Sequence, residues 1–371
     1  MKKIVYVVST LRSTGPTRQL YNIIKHLDRD RFSPTVVTLS PEPENSKWDD
    51  FTNVCDAVET LGLSRVKGAL VGRHRLKAKL AALVPDIIHT QGFRADYLLS
   101  KIDIDAKKFT TIRNYPQIDF VDYYGGIFGR IMTRLQLRAI SKFTVCVCVS
   151  RAVEENLRKQ GANAVTEVIT NGVDIKTFNR IDDDVRATLR TKFGFASGSR
   201  VWVVLGDLIP RKDPDFIVDA MSNAHQSLTG IEVVFAGGGD MQDKLERHAG
   251  EGVRFLGAIS NPDELLKAAD YVLSASKAEG LPNAIIEGMA CGLPALLSDI
   301  APHTDLLGSN FDCGALYRLG DQEDFINQMT ALISRNYSEM SEAARALMVD
   351  QYSDIQMSKS YQTLYSQPEA R

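Results

Sequence analysis

The sequence predicts an α/β protein made of two doubly wound parallel-sheet domains in series. Three observations carry this. The chain has 371 residues, more than one ordinary hydrophobic core supports. Short, nearly continuous apolar strands alternate with amphipathic helical patterns throughout, as in parallel sheets covered on both faces. The charge is also split: residues 1–180 hold 28 Lys and Arg against 18 Asp and Glu, and the remainder holds 16 against 28. Halves of opposite sign imply different partners.

In the first half the strands are read at KIVYVV, PTVVTL, VCDAVET, DIIHT, FTTIR, FTVCVCV and VTEVIT, with helices such as 16–27 and 127–142 between them. The second half repeats the scheme at RVWVVLG, IEVVFAG, VRFLG, DYVLSA and PALLS. The run DIKTFNRIDDD breaks the pattern and puts the boundary within 171–200, with domains expected at 1–172 and 173–352.

Composition excludes several classes. At 44% hydrophobic and 24% charged, with no low-complexity tract, the chain reads as an ordinary folded protein. The N-terminal apolar run Ile4–Val8 is too short for a signal peptide and reads as a first buried strand. No apolar run approaches a membrane span. The five cysteines (55, 146, 148, 291 and 313) are odd in number and lack zinc-site spacing, so buried thiols in a reducing cytosol are expected. Neither G-x-G-x-x-G nor a Walker loop occurs, which argues against a simple dinucleotide or P-loop enzyme.

Open α/β sheets bind ligands beyond the carboxyl ends of their strands, often at helix N-termini. Five such junctions stand out: STLRSTGPTRQ, HTQGF, IRNYPQ, GDLIPRKDP and AGGGD. In GDLIPRKDP, Arg211 and Lys212 precede a helix start, where two cations repel each other and the helix dipole. A diphosphate there relieves both; a solvated basic turn is the plain alternative. In AGGGD, Gly237 and Gly238 fit a tight turn as well as a phosphate contact.

The stretch KAEGLPNAIIEGMACGLPAL is more specific. Glu279 precedes Gly280-Leu281-Pro282, a turn that permits close ligand approach and starts a helix at Asn283. Glu287 lies four residues past Asn283, about 6 Å further along the helix axis. The ligand so described is long, polar at both ends and anionic in the middle, which matches a nucleotide sugar. The plain alternatives are a helix-dipole partner for Glu279 and a solvated face for Glu287. Ile285, Ile286, Met289 and Ala290 make that helix mostly apolar, which weakens the second.

ASKAEGLPNAIIEGMACGLPALLSD resembles the donor-site signature of retaining glycosyltransferases of family 4, which have the GT-B fold. Further matches run in family order: GPTRQ, PDIIH, CVSRAVEENL, ITNGVD, the Arg211-Lys212 turn, VVFAGGGD, VRFLG and ADYVLSAS. The resemblance implies two Rossmann-like domains facing a cleft, with the segment 353–371 crossing back onto the N-terminal one. It implies that Glu279 contacts the transferred sugar and Glu287 the ribose, while Gly280, Leu281, Pro282 and Asn283 meet sugar and phosphate through the backbone. Lys212 matches the family's diphosphate lysine, and Gly15 its glycine-rich loop. Two departures stand out. Asp207 replaces a common arginine, for which Arg211 is placed to substitute, and Arg113-Asn114 stands where the family often has a histidine.

The implied activity is retaining transfer from a nucleotide-diphosphate sugar, a uridine diphosphate sugar favoured, with no cofactor and no required metal. The motifs Asp103-Ile104-Asp105 and Asp182-Asp183-Asp184 are read as solvated surface. Arg211, Lys212, Arg113 and Asn114 are expected to stabilise the leaving charge or the sugar hydroxyls, and His89 and Arg113 to line the acceptor side; for His89 a satisfied structural histidine is the equal alternative. The basic first half points to a glycan or lipid-linked acceptor and to an anionic membrane surface, not to nucleic acid. Its clearest bearer is the helix 127–142, where Arg130, Arg134, Arg138 and Lys142 recur every four residues; a core helix with a solvated basic face is the plain alternative. A cytoplasmic enzyme working at the inner membrane face, on an envelope polysaccharide, lipopolysaccharide or glycoprotein glycan, follows as the expectation. An epimerase on the same fold, with His89 as its histidine, and a non-catalytic relative are the alternatives.

Overall fold

Side chains along the first strand alternate between two cores, because successive residues of a strand face opposite sides of its sheet. Ile4, Tyr6 and Val8 enter one, and Val5 and Val7 the other. With both faces covered, the strand reads as an unbroken apolar run. The computed structural model describes residues 1–224, 228–308 and 311–368, and the chain divides into two compact units.

Unit 1 comprises Met1–Gly172 and Asp354–Arg371. Its strands are β1 (Lys2–Val8), β2 (Phe32–Thr38), β3 (Ala57–Thr60), β4 (Ile87–Gln91), β5 (Lys107–Ile112), β6 (Val145–Cys148) and β7 (Thr166–Val168). They pair in parallel in the order β3-β2-β1-β4-β5-β6-β7. The helix Asp354–Ser366 lays Met357, Tyr361, Leu364 and Tyr365 into the core beneath β1. Positions 369–371 of the expected C-terminal segment lie outside the described residues.

Unit 2 comprises Val173–Ser353. Its strands are β8 (Arg200–Leu205), β9 (Ile231–Ala236), β10 (Val253–Phe255), β11 (Tyr271–Ser274), β12 (Ala295–Ser298) and β13 (Gly314–Tyr317), parallel in the order β10-β9-β8-β11-β12-β13. β13 is missing from the strands read in the sequence. Its four residues, GALY, open on a glycine, and too few apolar positions remain to show a period. In each unit the strand order reverses once, between β1 and β4 and between β8 and β11. Such reversals leave crevices at the carboxyl strand ends.

The helix Gly126–Ile140 is turned the opposite way from a core helix. It buries Gly129, Thr133, Gln136, Ala139 and Ile140, while Ile127 is 74% and Phe128 69% exposed. Gly129 sets this geometry. A Cβ there would lie 2.6 Å from the backbone of Phe120 and Val121, so the preceding helix Pro116–Tyr124 packs directly on its backbone. The alternative of a core helix with a solvated basic face is thereby corrected, since apolar side chains share the exposed face.

Candidate functional site

The crevice of unit 2 brings together residues from two loops. After β8, Gly206 leads through Leu208 to the short 3₁₀ turn Pro210–Lys212, and Asp213 closes it in the left-handed region at φ 50°. After β11, the chain passes Ser276 and Glu279 before the helix Asn283–Ala290. The amide of Lys277 donates to the Arg211 carbonyl at 2.8 Å, and the Lys277 ammonium pairs with Asp213 at 2.9 Å, which joins the loops.

Arg211, Lys212 and Glu279 form one cluster here. A Glu279 oxygen lies 3.4 Å from Arg211 Nη1, and the other lies 3.9 Å from Lys212 Nζ. Arg211 Nη1 also donates to the Ala278 carbonyl at 2.7 Å, and the Ser276 hydroxyl donates to Glu279 at 2.9 Å. The Glu279 side chain is only 12% exposed. Burial pushes its carboxyl up, but Lys212, then Arg211 and the Ser276 hydroxyl outweigh this and hold it below its usual value of 4.5. A carboxyl depressed on folding contributes stability that is complete above its unfolded pKa and lost as pH falls through the folded one. Unit 2 should therefore lose stability as pH drops below about 4.5. Glu279→Gln should flatten that part of an acid titration followed by thermal melting.

Glycines shape the crevice floor. Gly206 has φ 130°, and a Cβ there would run into the Lys212 ammonium. Gly237 and Gly239, at φ 151° and 157°, press on the backbones of Gly206 and Leu208, while a Cβ on Gly238 would meet only Gln242 at 3.8 Å. Gly206 and Gly239 were not singled out in the sequence, and only the first lacks a local signal, since Gly239 sits in the same AGGGD run.

The helix Asn283–Ala290 starts without a side-chain cap, after the buried turn Gly280-Leu281-Pro282. Glu287 is 3% exposed on that helix, so the solvated-face alternative does not hold for it. His303, another residue the sequence reading missed, is buried behind the cluster. Its Nδ1 donates to the Ser298 carbonyl at 2.8 Å, and the Ser298 hydroxyl donates to the Ser276 carbonyl at 2.7 Å. Burial keeps its imidazole neutral, with a pKa lowered to about 4.

In unit 1 the crevice opens into a cavity of about 1230 Å³. The ends of β1 and β4 and the loop after β5 line it, so Arg113 and Asn114 face the same space as Arg12, Gln91 and Arg94. Gly15 begins the helix Gly15–Lys25 between the lining residues Thr14 and Pro16. Asn114 Nδ2 donates to Asp119 at 2.8 Å.

His89 does not belong to this lining, and its acceptor-side expectation is corrected. It is fully buried, with Nδ1 2.5 Å from the Tyr365 hydroxyl and Nε2 2.9 Å from Thr111 Oγ1. Tyr6, Phe109 and Tyr361 pack around the ring, and burial lowers its pKa to about 3. It sits two residues short of the strand end, and Gln91, two further on, is the residue that reaches the cavity.

Among the described residues no group of three or more His, Cys, Asp or Glu is placed to hold a metal ion. No described helix is long and apolar enough to cross a membrane.

Comparison with known proteins matches residues 13–177 to the family described as Glycosyltransferase Family 4 and residues 185–347 to Glycosyl transferases group 1. The O-antigen biosynthesis glycosyltransferase WclY of Escherichia coli is 25% identical over 98% of both chains. An Escherichia coli UDP-Gal:alpha-D-GlcNAc-diphosphoundecaprenol alpha-1,3-galactosyltransferase is 27% identical over 53% of each. Among solved structures, Anabaena Alr3699/HepE in complex with UDP-glucose aligns with a TM-score of 0.80 at 19% identity, covering 99% of this chain and 100% of that one. Two Rossmann-like units matched over this length give the GT-B fold.

Proposed function

The chain belongs to the group 1 glycosyltransferases of family 4, and on that footing we propose that it moves a sugar, with retention and without a metal, from a nucleotide-diphosphate sugar to a lipid-linked glycan. The observation that carries this reading is the Arg211, Lys212 and Glu279 cluster at the reversal of unit 2. Two cations and one carboxylate leave a net positive site beside a helix start, which suits a diphosphate. In this reading Lys212 and Arg211 hold the leaving diphosphate, Glu279 accepts from a hydroxyl of the transferred sugar, and Glu287 serves the ribose. The leaving diphosphate takes the acceptor's proton as an oxocarbenium-like centre forms, so no side chain needs to act as nucleophile or base. Catalysis then rests on positioning and on stabilising the departing charge.

Uridine is the favoured base, supported by the UDP-glucose complex of the Anabaena neighbour and the UDP-Gal donor named for the Escherichia coli relative. The O-antigen role of WclY supports an envelope polysaccharide as product. An anionic membrane surface is the proposed workplace, met by the exposed Ile127, Phe128 and Ile131 among Arg130 and Arg134. The epimerase alternative loses support, because His89 is sealed in the core of unit 1.

Titration with uridine, guanosine and adenosine diphosphate sugars tests the reading. The uridine series is expected to bind, and Lys212→Ala to weaken it at least about tenfold, the scale of a lost charge-assisted contact. Binding by none of the three series at millimolar concentration would count against a donor site.

A further inference from the structure

One buried titratable side chain of unit 2 has no part in the reading above. His303 stands in the helix Ala301–Leu307, directly after β12, and is fully buried. Its Nδ1 lies 2.8 Å from the Ser298 carbonyl and 3.2 Å from the Ser298 hydroxyl oxygen. The hydrogen of that hydroxyl goes to the Ser276 carbonyl, 2.7 Å away, so Nδ1 is the donor to both Ser298 oxygens. Ser276 is thus held by its carbonyl, and its own hydroxyl serves Glu279. Ser276 Oγ accepts from the Ser274 hydroxyl at 3.1 Å and donates to Glu279 Oε1 at 2.9 Å. At the far end the Tyr317 hydroxyl donates to the Ser274 carbonyl at 3.3 Å. Each hydroxyl has one hydrogen to give, so a donor fixed at His303 fixes the direction of those that follow.

Packing alone does not account for an imidazole at this place. With the proton on Nδ1, Nε2 carries a bare lone pair, and it is buried without a hydrogen-bond partner. A buried unpaired acceptor is destabilising, and a leucine would fill the space without one. Glu279 and Lys212 both lie close enough to act on the ring electrostatically. The Glu279 carboxylate also needs a hold. Its Oε2 faces Arg211 at 3.4 Å and its Oε1 faces Lys212 at 3.9 Å, so a carboxylate free to turn would close on either cation. The Ser276 hydroxyl grips the oxygen on the Lys212 side.

We infer that His303 is a positioning residue of the donor site, fixing the Glu279 carboxylate through Ser298 and Ser276 so that it neither collapses onto Lys212 nor turns from the sugar. This deepens the transferase reading above and rests on it for the role of Glu279. His303 touches no substrate in this arrangement; it acts from behind, on the group that does.

Donor turnover, read as UDP release from uridine diphosphate sugars, and crystal structures of the variants test this. His303→Leu is expected to lower turnover about tenfold or more while UDP affinity stays within about threefold of the parent's. Ser298→Ala, on a separate element, should do the same. His303→Asn, whose amide N–H stands in for Nδ1–H, should restore most of the loss, and His303→Gln, whose amide reaches the Nε2 position instead, should not. In a Glu279→Gln background His303→Leu should change turnover by less than about twofold, because the group it positions is already altered. The Ser276–Glu279 hydrogen bond should be broken in the structure of His303→Leu and present in that of His303→Asn. Full additivity in the double variant, or that bond intact in His303→Leu, would overturn the positioning role. Unchanged turnover in Glu279→Gln alone, or UDP release from none of the sugars, would sink the donor reading, and the two crystal structures would then decide the tie by themselves.

Discussion

Replacing Glu279 by glutamine is expected to lower sugar transfer by about 100-fold or more while nucleotide diphosphate binding stays intact or tightens. The two halves of this prediction come from one cluster. The Glu279 carboxylate stands 3.4 Å from Arg211 and 3.9 Å from Lys212, so it shares the cations that a diphosphate would use. Glutamine keeps the shape and removes the competing charge, which frees both cations for the nucleotide. It also removes the strong acceptor proposed to grip a hydroxyl of the transferred sugar. Turnover and UDP affinity measured on the same preparation separate the two effects. Transfer within about threefold of the parent, or loss of UDP binding, would contradict the proposed role.

Deleting 354–371 is expected to unfold unit 1. The helix Asp354–Ser366 contributes Met357, Tyr361, Leu364 and Tyr365 to the core, each no more than 4% exposed. At roughly 1.5–3 kcal/mol per buried large side chain, their loss removes roughly 6–12 kcal/mol. The whole stability of a domain is only about 5–15 kcal/mol. Polar ties go as well. His26 meets Asp354 at 2.8 Å, the Ser358 hydroxyl donates to the Ile23 carbonyl at 2.8 Å, and Gln362 donates to the His26 carbonyl at 3.0 Å. His89 would lose Tyr365 and be left as a buried ring without its Nδ1 partner. Circular dichroism and hydrogen exchange should show unit 1 unprotected in the truncated chain. A melting temperature equal to the parent's would refute the assignment of this helix to the core of unit 1.

Much of the fold was legible because parallel strands buried on both faces announce themselves as apolar runs. The edge strand β13 was not, being four residues that open on glycine. Arg211, Lys212 and Glu279 were each legible at a strand-to-helix junction, where local composition is informative. Their ion pairing was not, because it depends on β8 and β11 being neighbours, and sequence alone does not give strand order. The sequence does not decide between a site-lining and a structural His89, since a histidine near a strand end fits both. The pleat and the C-terminal helix turn it inward. The helix Gly126–Ile140 was legible as basic and apolar, but which face is buried follows from the backbone contact at Gly129. His303 left no trace, since its tie to the cluster runs through Ser298 and Ser276.

In the proposed reaction the cations of unit 2 hold a nucleotide diphosphate without a metal. Calorimetric titration of UDP in a chelating buffer, and again with excess magnesium, tests it most directly. Equal affinity is expected in the two buffers, with a loss of about tenfold or more in Lys212→Ala in both. Binding that appears only with magnesium, or that ignores Lys212→Ala, would contradict it.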